Sequence, residues 1–176
     1  WGVSVIAEAR PGAGGTIAAA QVARAAPDGY TLLIIPSTHV QSPLLMPRLG
    51  YDAVRDFTTI AQVAYYPFIL VVRQDFPARG LAEFVRYALD HPGRVTDATT
   101  GAGSSPHLSA SLLAAATGIE FTHVPFSGTA QGLTAVLAGQ VDCAFLNPFL
   151  AIQHVQAGRL RAIAATSARR WRDLPE

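Results

Sequence analysis

Between Phe68 and Ala165, short apolar runs alternate with helix-forming segments of about ten residues, and this alternation constrains the fold most strongly. Such helices between short strands are typical of parallel βαβ units. The sequence therefore predicts an α/β fold. The predicted strands are 68–72, 95–99, 121–126, 141–146 and 160–165, and the predicted helices are 81–90, 108–116, 130–138 and 149–156.

The residues before Phe68 repeat the pattern less regularly. Apolar and β-branched runs predict strands at 3–7 and 30–35, with a helix at 17–26 between them. Residues 37–47 predict a loop or short helix, and residues 57–72 an extended segment. Proline is unfavourable in a central strand, so Tyr66 and Pro67 are predicted to mark a crossing between two lobes.

Composition excludes several classes of protein. The formal net charge is +1, which gives no electrostatic basis for coating nucleic acid or an anionic membrane. The chain contains no lysine, so Schiff-base chemistry and a phosphate-binding P-loop lysine are excluded. Cys143 is the only cysteine, which excludes an internal disulfide and any multi-cysteine metal site. We predict no metal site, no cofactor and no membrane-spanning helix.

Four turns that follow predicted strands are rich in glycine and small polar residues. Ligands of open parallel sheets bind at the carboxyl ends of strands, where helix N-termini present free N–H groups and a partial positive charge. That combination suits an anion. If the last three strands concerned are neighbours, their turns converge on one rim. The predicted ligand-binding residues are Ser37, Thr38 and His39; Thr100, Gly101, Ala102, Gly103, Ser104, Ser105 and His107; Ser127, Gly128 and Thr129; and Asn147.

Each of these features also has an ordinary structural explanation. Serine, threonine, asparagine and glycine are common helix caps and turn residues, and His107 could cap its own turn rather than donate to a ligand. The glycines at 12, 14 and 15 do not match the dinucleotide-binding spacing, and a turn with positive φ explains them. Residues 101–105 likewise lack the Gly-x-Ser-x-Gly pattern of a serine hydrolase.

Six segments together resemble a known family. In chain order, they resemble the Bug-type periplasmic solute receptors, the substrate-binding proteins of tripartite tricarboxylate transporters, over nearly the whole chain. The segments are 8–16, 25–32, 51–57, 101–108, 123–128 and 158–162.

The resemblance implies a periplasmic-binding-protein-like fold of two α/β lobes with parallel or mixed sheets, which close by a hinge on a small carboxylate. Relatives bind di- and tricarboxylates, amino acids or aromatic acids, mainly through backbone amides and ordered water. We therefore expect a non-enzymatic periplasmic receptor that delivers its ligand to membrane permease subunits. Two alternatives remain: a sensory module of the same fold, and an α/β enzyme that uses Ser104 or His107.

The same resemblance implies that the first lobe is incomplete in this chain. Relatives have a strand and a loop before the position of Trp1, and further segments after that of Glu176. We expect residues 1–66 to form part of the first lobe, 67–165 the second lobe, and 166–176 a return toward the first. An incomplete sheet exposes apolar edges, so dimerisation or strand exchange is expected. Phe126 stands where tyrosine is common in relatives.

Overall fold

All strands in the described part of the chain, residues 2–46, 48–169 and 171 of this computed structural model, belong to one sheet. The strands are β1 (Ile69–Arg73), β2 (Val95–Thr99), β3 (Phe121–Pro125), β4 (Cys143–Leu146) and β5 (Leu160–Ala165). Their order across the sheet is β3-β2-β4-β1-β5. The five strands predicted after residue 67 are all present.

The sheet is mixed. β2 pairs in parallel with β3 on one side and with β4 on the other. β1 pairs antiparallel with both β4 and β5, and its register with β5 shifts between Leu70 and Val71. The α/β class is confirmed, and the parallel βαβ arrangement holds for the three neighbouring strands β3, β2 and β4.

Four helices cover the two faces of this sheet. They are α3 (Leu81–Asp90), α4 (Ser105–Thr117), α5 (Thr129–Leu137) and α6 (Pro148–Gln156). The predicted bounds of α3 are confirmed, whereas α4 begins at Ser105 rather than residue 108. The earlier start follows from the N-cap at Ser104 and from Pro106, whose fixed φ suits a first helical turn. Gly118, in the left-handed conformation with φ +78°, ends α4.

Burial along β1 shows that the sheet lies between two apolar layers. Leu70 and Val72 belong to the cluster that α3 and α4 complete, for example with Phe84, whereas Ile69 and Val71 belong to the cluster that α5 and α6 complete. The side chains of all four of these β1 residues are fully buried. Successive side chains of a strand point to opposite faces, so a continuously apolar strand is what this position requires.

The first part of the chain contains two helices and no strand among its described residues. A 3₁₀ turn at Ala13–Gly15 precedes α1 (Thr16–Ala23), and α2 spans Thr38–Leu45. The predicted strands at 3–7 and 30–35 are wrong: Ile6 is 89% exposed and Tyr30 91% exposed. A strand needs a neighbour to satisfy its backbone groups, and these segments pair with no strand among the described residues.

A pair of reciprocal hydrogen bonds lies next to Tyr66 and Pro67, where the sequence predicts a crossing between lobes. The Thr166 amide donates to the Phe68 carbonyl oxygen at 2.9 Å, and the Phe68 amide donates to Oγ1 of Thr166 at 2.9 Å. Phe68 immediately precedes β1, and Thr166 immediately follows β5. These two segments, 98 residues apart in sequence, therefore leave the sheet side by side. The lobe boundaries 1–66, 67–165 and 166–176 stay a prediction, and residues 172–176 lie outside the described part.

Candidate ligand-binding site

Three neighbouring parallel strands end at the same edge of the sheet and place three helix N-termini there. β2 leads into α4, β3 into α5 and β4 into α6. The Phe126 amide donates to the Thr99 carbonyl oxygen at 2.9 Å, which holds the turn after β3 against the end of β2. The turns after β2, β3 and β4 that the sequence singled out therefore share one rim, as expected for neighbouring strands.

The turn between β2 and α4 is shaped by two glycines. Gly101 and Gly103 have φ of +101° and +77°, values that L side chains rarely adopt. The Ser104 amide donates to the Gly101 carbonyl oxygen at 3.1 Å, which closes the turn. Between them, Ala102 is exposed at the tip of the turn. The two glycines therefore permit a tight turn that brings backbone groups to the rim.

Ser104 is a helix cap. Its side chain is buried, and its Oγ accepts a hydrogen bond from the His107 amide at 3.5 Å. Ser105, one residue further, is partly exposed at the first position of α4. Of these two adjacent hydroxyl groups, that of Ser105 is the more accessible to a bound molecule.

The N-terminus of α5 has no side-chain cap. Gly128 occupies the N-cap position in extended conformation, with no side-chain hydrogen bond there. Instead, the Gln131 side chain turns back, and its Oε1 accepts from the Ser127 amide at 3.1 Å. The first amides of a helix lack intrahelical partners, so those of Thr129 and the following residue remain available to an anion.

The N-terminus of α6 is more fully satisfied. Oδ1 of Asn147 accepts from the Leu150 amide at 3.0 Å, and Pro148 has no amide hydrogen to offer. Asn147 therefore caps α6 with its carbonyl oxygen and keeps its side-chain NH₂ as the group that could donate to a ligand.

A wall from the first part of the chain faces the turn after β2. A Cβ built on Gly14 would lie 3.7 Å from the Gly103 carbonyl oxygen and 3.8 Å from that of Ala102. From the same side, Cδ1 of Leu45 in α2 would lie 3.2 Å from a Cβ on Gly103. Sequence reasoning missed this wall. The signal was the glycine cluster at 12, 14 and 15, whose φ values are all positive, as predicted for a turn.

The predicted residues of α2 lie in a buried environment. Thr38 and His39 are buried, whereas Ser37 is exposed. Nε2 of His39 is 2.8 Å from the Ala53 carbonyl oxygen, and its ring stacks on Tyr51 with centroids 5.9 Å apart. Nε2 of His39 therefore fastens the segment around Ala53 to α2.

Three buried polar atoms in this region have no hydrogen-bond partner among the described residues. They are Oγ1 of Thr38, Nδ1 of His39 and the hydroxyl of Tyr51. Burial also raises the pKa of Tyr51, because the phenolate would be poorly solvated there. Thr38, at the first position of α2, therefore has a hydroxyl without a hydrogen-bond partner among the described residues. In His39, Nε2 is already engaged, so only Nδ1 is without a partner there.

His107 sits between the glycine turn and a second histidine. Its Nδ1 accepts from the Gly103 amide at 3.4 Å, and its ring centroid is 4.6 Å from that of His123. Nδ1 of His123 lies 3.1 Å from Oδ2 of Asp97, which is fully buried. Burial raises the pKa of Asp97, and the hydrogen bond and charge of His123 oppose this.

The rim offers uncharged donors. The residues of its turns, 100–105, 127–129 and 147, contain no arginine, aspartate or glutamate. Arg161 is engaged elsewhere, where its guanidinium donates to the carbonyl oxygens of Gln74, Phe76 and Ala78. Within the described ranges, no group of three or more His, Cys, Asp and Glu side chains is placed to hold a metal ion.

Comparison with protein families decides the assignment. The model described as "Tripartite tricarboxylate transporter family receptor" matches residues 1–176. The chain belongs to this receptor family. The resemblance found in the sequence is therefore confirmed, and the family and fold are those of solute-binding proteins.

Three solved structures show how far the similarity of this receptor-family chain extends. The periplasmic binding protein BugD has a TM-score of 0.85 at 33% identity, covering 91% of this chain and 54% of that one. Rpa4515 from R. palustris with adipate has a TM-score of 0.82 at 35% identity, covering 89% and 53%. MatC from Rhodopseudomonas palustris with bound malate has a TM-score of 0.82 at 38% identity, covering 90% and 54%.

This receptor-family chain spans about half the length of the curated relatives it matches, 52% of one and 54% of another. The likeness to periplasmic binding proteins confirms the fold class. In the part of the chain that the structure describes, no helix is both long enough and apolar enough to cross a membrane.

Proposed function

We propose that this chain is a solute receptor that captures a small dicarboxylate at the rim formed by β2, β3 and β4. The observation that carries the proposal is the convergence of three helix N-termini on one edge of the sheet, at turns without charged side chains. Each helix N-terminus carries about half a positive charge and unpaired amides. Such a site can hold a carboxylate without an ion pair.

The ligand class follows from this chemistry and from two relatives. MatC carries malate and Rpa4515 carries adipate, both dicarboxylates. One carboxylate would accept from amides and hydroxyls at the turn around Gly103, with Ser105 beside it. The other would accept from the uncapped N-terminus of α5 at Thr129. The side-chain NH₂ of Asn147, the hydroxyls of Ser37, Thr38 and Ser127, and water would complete the contacts.

The surroundings of Ser104 and His107 support binding rather than catalysis. Ser104 is buried and its Oγ accepts from its own helix, and Nδ1 of His107 accepts from the Gly103 amide. Neither side chain is therefore arranged as a nucleophile with an adjacent base. We propose a receptor without catalytic activity.

Delivery and assembly are further parts of the proposal. By its family, the receptor would work in the periplasm and hand the ligand to permease subunits of a tripartite transporter.

The exposed apolar residues of the first part, among them Ile6, Tyr30 and Ile34, support the expected dimerisation or strand exchange. Light scattering tests that association: a dimer is expected, and a monodisperse monomer would contradict it.

A calorimetric panel tests the ligand class. Malate and adipate are titrated into the chain at neutral pH, with their diamides as uncharged controls of nearly the same shape. We expect saturable binding of at least one diacid and none of the diamides. At one hundred times its dissociation constant, the bound acid stabilises the fold by about 2.7 kcal/mol. Equal binding of a diamide would exclude recognition of the carboxylates.

A further inference from the structure

His107 and Ser104 form a variant of the capping box at the start of α4. In that motif, the N-cap serine accepts from the amide three residues on, and the side chain of that third residue reaches back to the N-cap amide. In this chain the amide reached is that of Gly103, one residue before the cap. Here Ser104 accepts from the His107 amide, and Nδ1 of His107 accepts from the Gly103 amide at 3.4 Å. A histidine thus occupies the place usually taken by glutamate or glutamine.

We propose that neutral His107 is a positioning residue that holds the Gly101–Gly103 turn in its ligand-binding conformation, and that protonation of His107 releases the turn. The Gly103 amide is a donor, so it requires an unprotonated Nδ1. The neutral imidazole then carries its hydrogen on Nε2. A proton added at Nδ1 would place two donors face to face and break the hydrogen bond. This proposal rests on the proposed function, because it concerns the affinity of the same site.

A series of titratable groups extends from His107 into the sheet. The His123 ring on β3 faces it, and Asp97 on β2 fixes Nδ1 of His123 at 3.1 Å. Beyond Asp97 lie the Sγ of Cys143 on β4, which is 4.0 Å from Oδ1 of Asp97, and the carboxyl of Asp142, the residue immediately before β4. From the first part of the chain, the groups nearest the turn are uncharged, namely Gly14 and Leu45.

The direction of the pH effect follows from these contacts. Burial, and then the charge of His123, lowers the pKa of His107 below its ordinary value of about 6.5. The neutral form therefore holds the turn fully above about pH 6.5, and the hydrogen bond is lost as the pH falls through the lowered pKa. Loss of one such hydrogen bond corresponds to about a tenfold loss of affinity.

The hydrogen bond from the Gly103 amide to Nδ1 of His107 is called the latch below. Amide and imidazole NMR titrations between pH 8 and pH 5 test this latch without any ligand. We expect the Gly103 amide resonance to move with the titration of the His107 ring. His107→Gln keeps an acceptor at this position but does not titrate, so its Gly103 resonance should stay constant. His91→Gln, on an exposed histidine at the end of α3, should leave the Gly103 titration unchanged. A Gly103 resonance that ignores His107, or that titrates equally in His107→Gln, would overturn the proposal.

A second variant tests whether the charge of His123 lowers the pKa of His107. His123→Asn keeps a donor for Asp97 but removes the imidazole charge, so the His107 midpoint should move to higher pH. An unchanged or lower midpoint would contradict the assigned coupling.

Calorimetry with malate then measures the consequence for binding. The wild-type affinity should fall about tenfold at acidic pH relative to His107→Gln in the same buffers. An equal pH profile in both proteins would overturn the link to binding.

The outcomes separate this inference from the proposed function. If malate and adipate do not bind at any pH while Gly103 still follows His107, the ligand assignment fails and the latch stands. If a diacid binds and Gly103 does not follow His107, the receptor assignment stands and the latch is wrong.

Discussion

Gly14 in the first part of the chain faces Gly103 at the rim of the sheet. A Cβ built on Gly14 would lie 3.7 Å from the Gly103 carbonyl oxygen. The two residues are far apart in sequence and belong to two separate glycine-rich turns. Their apposition means that the candidate site is bounded by both parts of the chain. Side chains added at this point should therefore affect binding more than stability.

Gly103→Val tests that boundary. Its φ of +77° strains any L side chain, and the added Cβ would lie 3.2 Å from Cδ1 of Leu45. The strain costs about 1–3 kcal/mol of stability, and we expect malate binding to be abolished in calorimetry. Gly158→Val is the matched control, because Gly158 has φ +65°, no neighbour within 4 Å and a place beyond the end of α6. Wild-type affinity in Gly103→Val would remove this turn from the site.

Asn147→Asp separates capping from ligand binding. Aspartate keeps the oxygen that accepts from the Leu150 amide, so the melting temperature should change little. The new negative charge faces the rim and replaces a donor, so affinity for a dicarboxylate should fall by tenfold or more. Asn147→Ala, the complementary variant, loses the cap and about 1 kcal/mol of stability. An Asn147→Asp protein that binds malate normally would place Asn147 outside the site.

Asp97→Asn tests how far burial of the Asp97 carboxylate lowers the free energy of unfolding. Burial raises the pKa of Asp97 in the folded state, so its ionised form destabilises the fold as pH rises through that value. Asparagine keeps an acceptor for His123 and carries no charge. We expect a higher free energy of unfolding than wild type at pH 7 in urea titrations, and a smaller difference near pH 4. Marked destabilisation of the variant at pH 7 would show that the pair with His123 outweighs desolvation.

Thr166→Val tests the paired crossing segments. The change removes the hydroxyl that accepts from the Phe68 amide, while the reciprocal backbone hydrogen bond remains. Stability should fall by about 0.5–1.5 kcal/mol, and Thr166→Ser, which keeps the hydroxyl, should restore most of it. Equal stability of the valine and wild-type proteins in urea would show that this side-chain bond contributes nothing there.

Predictability from sequence differed between the two parts of the chain. The strands and helices from β1 to β5 were predicted because their apolar residues pack into the two clusters on either face of the sheet, as the four buried residues of β1 show. The predictions of strands at 3–7 and 30–35 were wrong for a physical reason. The hydrophobic pattern indicates which side chains a segment can bury, but not whether a partner strand is available to pair with it.

The candidate site divides in the same way. The convergence of the turns after β2, β3 and β4 could be predicted, because parallel neighbouring strands end at one edge. The contact of Gly14 and Leu45 with the turn at Gly103 depends on how distant segments pack, which no local pattern encodes. The hydrogen bond from the Gly103 amide to Nδ1 of His107 likewise depends on packing, and the sequence alone left both capping and ligand contact open for His107.

The most direct test of the central claim is an amide NMR titration of the chain with malate at pH 7.5. If helix N-termini hold the carboxylates, the largest shifts will fall on amides at the rim that are free to donate, namely those of Ala102, Ser105 and Thr129. Amides at the opposite end of the sheet, such as those of Gln74 and Arg161, will stay in place. Shifts confined to that opposite end, or none at saturating malate, would contradict the account.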